Sequence, residues 1–231
     1  MKHLIYYKIF ESMGHKFGDK IIYAVLEFLG YKYKYYLNSG AFGDAFVVIS
    51  PEGDEKVLKI THEAHEARSA NYLRKKPITK HIINYYDVRE IIYDKDTTFY
   101  SLIMDRVDNI PDIYDSDPFL YDVISELLEA APYWDEFGWD INRENTKKKI
   151  VENLKKWDRD GMSEIVDKYM DDLSDMQKEA KKLFSGYVDN LFDLDLHIGN
   201  LGINVDGDLV FFDIGNSFKE SKFDLKPIII S

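Results

Sequence analysis

The chain contains no cysteine, which excludes a disulfide framework and any thiolate metal site. The cytoplasm is therefore the expected compartment. Long apolar runs are lacking too. None reaches the length of a membrane span, and Met1 to Phe10 holds no apolar run of signal-peptide length. Positive charge is in deficit, with 30 Lys and Arg against 42 Asp and Glu and a formal net charge of −12. Nucleic-acid backbone demands clustered Lys and Arg, and anionic membranes attract basic segments, so neither is an expected partner. The local basic runs, Lys147-Lys148-Lys149 and Lys155-Lys156, lie beside acids in a helical pattern and read as a solvated helix face. Internal repeats and low-complexity linkers are also absent.

What is present is an ordinary globular composition with a surplus of rings. Hydrophobic residues make up 45% and charged residues 31%, while aromatics reach 15%, which implies a ring-rich core. A chain of 231 residues suffices for one domain with a substantial core or for two small lobes.

The first 30 residues carry a helical pattern, with Ile21, Ile22, Val25, Leu26, Phe28 and Leu29 on one face and Gly30 as the stop. Strands are expected over Tyr31 to Leu37, Ala45 to Ile49 and Lys56 to Ile60, with Pro51 and Gly53 marking a turn. A helix follows from His62 to Lys76, with Thr61 as its candidate N-cap and Pro77 as its end. Two more strands are expected over Asn84 to Tyr93 and Phe99 to Met104. Helices are then expected over Asp117 to Ala131, Asn142 to Trp157 and Met162 to Leu191. Near the end, Leu201 to Val205 and Leu209 to Asp213 flank Asp206-Gly207 as a tight hairpin. The order implies two unlike lobes joined near Asp105 to Asp108, and a cleft between lobes is a common ligand site.

Chemistry-bearing residues fall into four groups. Gly40-Ala41-Phe42-Gly43 lies between two strands, where glycines either make a plain turn or let the backbone approach a phosphate. Lys59 sits in the apolar strand Val57-Leu58-Lys59-Ile60, so it either snorkels to solvent or has a buried anionic partner. Glu66 on the next helix is the preferred partner and Glu63 the alternative. Leu102-Ile103-Met104-Asp105-Arg106-Val107 leads out of the last strand. Finally, Asp193-Leu194-Asp195-Leu196-His197-Ile198-Gly199-Asn200 is followed by the hairpin and by Asp213-Ile214-Gly215. Two Asp and one Asn at the mouths of short strands offer hard oxygen ligands of the kind Mg²⁺ prefers.

This series resembles the protein-kinase-like superfamily, whose catalytic loop reads H-R-D-L-x-x-x-N and is followed by D-F-G. The form D-L-H-x-G-N is closest to small phage-encoded or atypical Ser/Thr kinases and to aminoglycoside-phosphotransferase-like and choline-kinase-like members. The resemblance covers about residues 33 to 108 and 187 to 217. It implies that Asp195 is the catalytic Asp, that Asn200 and Asp213 are the metal-binding residues, and that Lys59 pairs the phosphates while Glu66 holds it. It further implies that Gly40, Ala41, Phe42 and Gly43 form the Gly-rich loop, that Met104, Asp105 and Val107 line the adenine, and that His197 steadies the γ-phosphate. ATP and Mg²⁺ are the implied cofactors, and a protein Ser/Thr the implied acceptor. For a phage-encoded chain the compartment is a host cytoplasm.

The expected fold is α+β and bilobal. Residues 1–30 form an N-terminal helical extension, 31–107 a small five-stranded antiparallel N-lobe, and 108–231 a mainly helical, truncated C-lobe. Asn38 replaces the first loop glycine, Asp193 replaces the His or Tyr that braces the catalytic loop, and Ile214 replaces the Phe of D-F-G. No A-P-E motif follows Gly215. Three functions fit these features: an active protein kinase, a nucleotide-binding module without turnover, and a small-molecule kinase of the aminoglycoside or choline type.

Overall fold

Alternating β-branched and aromatic residues in the first half, and 3.6-residue periodicity in the second, give a computed structural model of mixed α+β type. The structure describes residues 19–39, 43–93, 98–130, 143–184, 196–212 and 225–230. Its elements run α1 (Asp19–Leu29), β1 (Lys32–Ser39), β2 (Gly43–Ile49), β3 (Glu55–Thr61), α2 (Ala64–Leu73), β4 (Tyr85–Ile92) and β5 (Thr98–Asp105). They continue through β6 (Asp108–Asn109), α3 (Ile110–Ile113), α4 (Pro118–Ala130), α5 (Arg143–Asn153) and α6 (Met162–Leu183) to β7 (Leu201–Ile203), β8 (Leu209–Phe211) and β9 (Pro227–Ile229). Among these residues, 19–39, 43–77, 84–93, 98–106 and 225–230 form one unit, and 78–83, 107–130, 143–184 and 196–212 form a second. No helix of the described residues is long and apolar enough to cross a membrane.

The first unit is built on a sheet of order β1-β2-β3-β5-β4-β9. It has six strands where five antiparallel ones were expected, because Pro227–Ile229 adds itself parallel to β4. The side chains of Phe46, Val48, Leu58, Ile60, Ile91 and Ile103 share a buried cluster with Ile21, Ile22, Val25 and Leu26 of α1. Burying each such side chain contributes about 1.5–3 kcal/mol. Ile228 and Ile230 complete the same cluster, so the chain's first and last described segments close one core. Aromatic residues contribute as the composition implies, with the Tyr36 and Phe46 rings 5.6 Å apart. The α1 helix stops at Gly30, whose φ of +73° suits glycine, and the Tyr31 N–H returns to the Leu26 carbonyl.

Strand residues alternate faces, so Lys59 points away from the side on which Leu58 and Ile60 meet α1. The α2 helix packs against β3, β4 and β5. Its N-cap is Glu63 rather than the expected Thr61. Thr61 is still paired in the sheet as the last residue of β3, and its Oγ1 accepts the Glu63 N–H at 3.1 Å. At the other end Arg74 bonds Asn71 at 3.0 Å and pairs with Asp87 of β4 at 3.3 Å, which fixes the helix on the sheet.

The second unit is mainly helical. Val123, Ile124 and Leu127 of α4, Ile150 of α5, and Val166, Met170, Leu173 and Met176 of α6 are buried. Only Ile150 of α5 is buried; its basic residues pair with acids of α6, Arg143 with Asp171 at 2.6 Å and Lys147 with Asp167. The expected two-stranded hairpin is a three-stranded sheet of order β6-β7-β8, since Asp108–Asn109 pairs with β7. Its turn is closed by Asn204, whose Oδ1 accepts the N–H groups of Asp206 at 3.0 Å and Asp208 at 2.9 Å.

Candidate functional site

In the first unit the site begins with Lys59. Apolar neighbours in sequence force β3 into the middle of the sheet, where Lys59 lies opposite Ala45 of β2 and Leu102 of β5. Its ammonium pairs with the Glu66 carboxylate in the first turn of α2. The two side chains are 19% and 12% exposed, so the pair is largely withdrawn from water. Lys59 therefore does not snorkel, and of the two acids it takes Glu66. Glu63 stands outside the helix at the N-cap, 3.6 Å from His62.

Ala45, Val57, Leu102 and Met104 share the Lys59 face, because Val57 is two residues from Lys59 and pairs with Met104. This gives a cation at the end of an apolar strip. Sequence reading missed Val57 and Leu102 as members of it, although the two-residue spacing of Val57 from Lys59 was there to read.

Gly40, Ala41 and Phe42 lie outside the described residues. Gly43 is the first residue of β2 and pairs with Thr61. A Cβ on Gly43 would lie 2.2 Å from the Ile60 carbonyl oxygen, so only glycine lets the two backbones approach here. Met104 ends the apolar strip. Asp105 is committed to the sheet: its N–H goes to the Asn84 carbonyl at 3.1 Å, and its carboxylate takes bonds from Lys56 at 3.0 Å, Asn84 at 2.9 Å and Tyr86 at 2.6 Å. Burial pushes the Lys56 ammonium down, but its bonds to Tyr86 and Asp105 outweigh this and hold it above the usual lysine value. Val107 belongs to the second unit.

In the second unit, buried Leu196 anchors the start of a short turn. His197 opens that turn, and its Nδ1 accepts the Gly199 N–H at 3.1 Å. The Asn200 N–H donates to the His197 carbonyl at 2.9 Å, and Asn200 is only 7% exposed. The Phe212 N–H then donates to the Asn200 carbonyl at 2.9 Å. Phe212 immediately precedes Asp213 in sequence. Asp193, Asp195, Asp213, Ile214 and Gly215 lie outside the described residues.

Residues 78–83, to which sequence reading gave no role, clamp this region. Phe211 donates to the His81 carbonyl and accepts from the Ile83 N–H, each at 2.9 Å. A ring nitrogen of His81 meets the Leu209 carbonyl at 2.9 Å. From α6, Glu179 accepts the N–H groups of Lys80 at 3.1 Å and His81 at 2.8 Å, while Asp172 accepts that of Leu209 at 3.0 Å. Asp208 pairs with Lys80 at 3.1 Å and lies 3.6 Å from Lys168. Burial pushes the Asp208 carboxyl up, but the Lys80 bond and the two lysine charges hold it below the ordinary aspartate value. Among the described residues no group of three or more His, Asp or Glu is arranged to hold a metal ion.

No protein-family model matches the chain, and no curated protein sequence matches it. Among solved structures it is similar to a MAP kinase from Leishmania major, with 14% identity and a TM-score of 0.45. That match covers 87% of this chain and 52% of the other, so the chain spans about half the length of the kinase.

Proposed function

We propose that the chain is a kinase-like phosphotransferase that moves the γ-phosphoryl group of Mg-ATP to a hydroxyl, with protein Ser/Thr as the acceptor. The Lys59–Glu66 ion pair carries the reading. A largely buried cation braced by a helix acid offers nucleotide phosphates a fixed positive charge, and the apolar strip beside it offers a flat ring a surface. The chain order of motifs supports it further.

Asn and Asp side chains offer hard oxygen donors of the kind Mg²⁺ takes. Asn200 is buried, and its carbonyl accepts the Phe212 N–H at 2.9 Å. Asn200 and Asp213 would hold Mg²⁺, which when bound offsets the negative charge of the phosphate oxygens. Lys59, kept in place by Glu66, binds the α- and β-phosphates. Ala45, Val57 and Met104, with the chain through Asp105 to Val107, receive the adenine. The Gly40–Gly43 segment covers the phosphates. Asp195 orients the acceptor hydroxyl and takes its proton as the new O–P bond forms, the β–γ bridging bond breaks, and ADP leaves. Catalysis of this kind is mainly positioning and electrostatics.

A mass-spectrometric phosphosite survey of cells expressing wild type or Asp195→Ala tests the reading. New Ser/Thr sites present only with wild type support it. Identical phosphosite sets, together with ADP release from a metabolite screen, would move the acceptor to a small molecule. A second reading, a nucleotide-binding module without turnover, is favoured by Asp193 at the brace position. It predicts thermal stabilisation by Mg-ATP with no phosphate transfer.

A further inference from the structure

The turn that carries Asn200 is held by a side chain of its own. His197 enters it in extended backbone, with φ −148° and ψ 167°, and its Nδ1 takes the Gly199 N–H. A Cβ on Gly199 would lie 2.9 Å from Cε1 and 3.1 Å from Nδ1 of His197, so glycine is what lets the ring close over the backbone. The imidazole fills the place that Asn, Asp or Ser fills at an ordinary helix start. An Nδ1 that accepts a hydrogen bond carries no proton, so the proton of the neutral ring sits on Nε2.

We infer that His197 is a positioning residue: through Gly199 it holds the backbone turn that presents Asn200. It acts at Nδ1, by accepting a hydrogen bond within its own chain, where the resemblance implied a contact to the γ-phosphate. The catalytic consequence rests on the function proposed above; the geometry does not.

Side-chain chemistry separates the two roles. In Asn, Oδ1 occupies the position of Nδ1 relative to the backbone, whereas the terminal amide of Gln reaches the position of Nε2. The test is phosphate transfer measured against Mg²⁺ concentration for His197→Ala, His197→Asn and His197→Gln. Ala and Gln are expected to raise the Mg²⁺ needed for half-maximal rate about five- to tenfold, the scale of a lost cap, and Asn to restore it to within about twofold. Rescue by Gln and not by Asn places the role at Nε2 and overturns the inference. So does wild-type Mg²⁺ dependence in the Ala variant.

A second measurement needs no turnover. In ¹⁵N-histidine-labelled wild type, the His197 Nδ1 is expected to resonate as an unprotonated acceptor and Nε2 as an N–H. The opposite tautomer overturns the inference. The expected tautomer in a protein that transfers no phosphate would sink the kinase reading while leaving the positioning geometry intact.

Discussion

Replacing Glu66 by leucine removes the carboxylate that pairs with the Lys59 ammonium beside the apolar strip of Ala45, Val57, Leu102 and Met104. Breaking a fully buried ion pair costs about 3–5 kcal/mol, and an exposed pair about 0–1 kcal/mol. With the two side chains 19% and 12% exposed, Glu66→Leu falls between these limits, at about 2 kcal/mol. In a chain of this length that lowers Tm by roughly 4–8 °C. Lys59→Met is milder, about 1 kcal/mol, because Glu66 then remains in the first turn of α2, where the helix dipole favours an acid. The double variant removes both charges and is expected to lie within about 1 kcal/mol of wild type, since apolar replacement of a buried pair is often near neutral. Urea unfolding followed by circular dichroism gives all three values and the coupling between them. A Glu66→Leu cost below about 0.5 kcal/mol, or simple additivity in the double variant, would refute the reasoning.

Three further outcomes follow from the same structure. Gly43→Ala drives a methyl into the Ile60 carbonyl and is expected to cost about 2 kcal/mol or more, measured by urea unfolding. Ile228→Ala, at a residue 4% exposed in the core shared with α1, is expected to cost about 2–4 kcal/mol, and a thermal melt shows it. Asp208 has a folded pKa below its unfolded one, so its contribution to stability is present above the unfolded value and is lost as pH falls through the folded one. Asp208→Asn should therefore lower Tm at neutral pH by more than it does in strong acid; an equal loss at both would contradict the assignment.

Local chemistry made much of the first unit legible. A lone cation in an apolar strand left two outcomes, snorkelling to solvent or a buried acid from the next helix, and Glu66 is the acid it takes. Gly30 as a helix stop and Asp206-Gly207 as a turn were equally local signals. What escaped was non-local. A three-residue strand such as β9 has no alternation long enough to recognise, and its parallel partner β4 lies far away in sequence. The clamp by residues 78–83 works through backbone groups of Lys80, His81 and Ile83, which side-chain patterns do not reveal. Thr61 carries a good capping hydroxyl, but sheet pairing held it in β3 and left the helix start to Glu63. At the candidate site, Lys59, Glu66, Gly43, Met104, Asp105, Val107, His197 and Asn200 have described positions; the roles of Asp195 and Asp213 rest on sequence motifs.

The central claim is tested most directly by incubating the purified chain with γ-labelled ATP, Mg²⁺ and a cell lysate, beside Asp195→Ala. Label is expected on protein Ser/Thr with wild type and at least about a hundredfold less with the variant, on the order of a lost catalytic group. Label transfer that is equal in the two proteins, or absent from both, would contradict it.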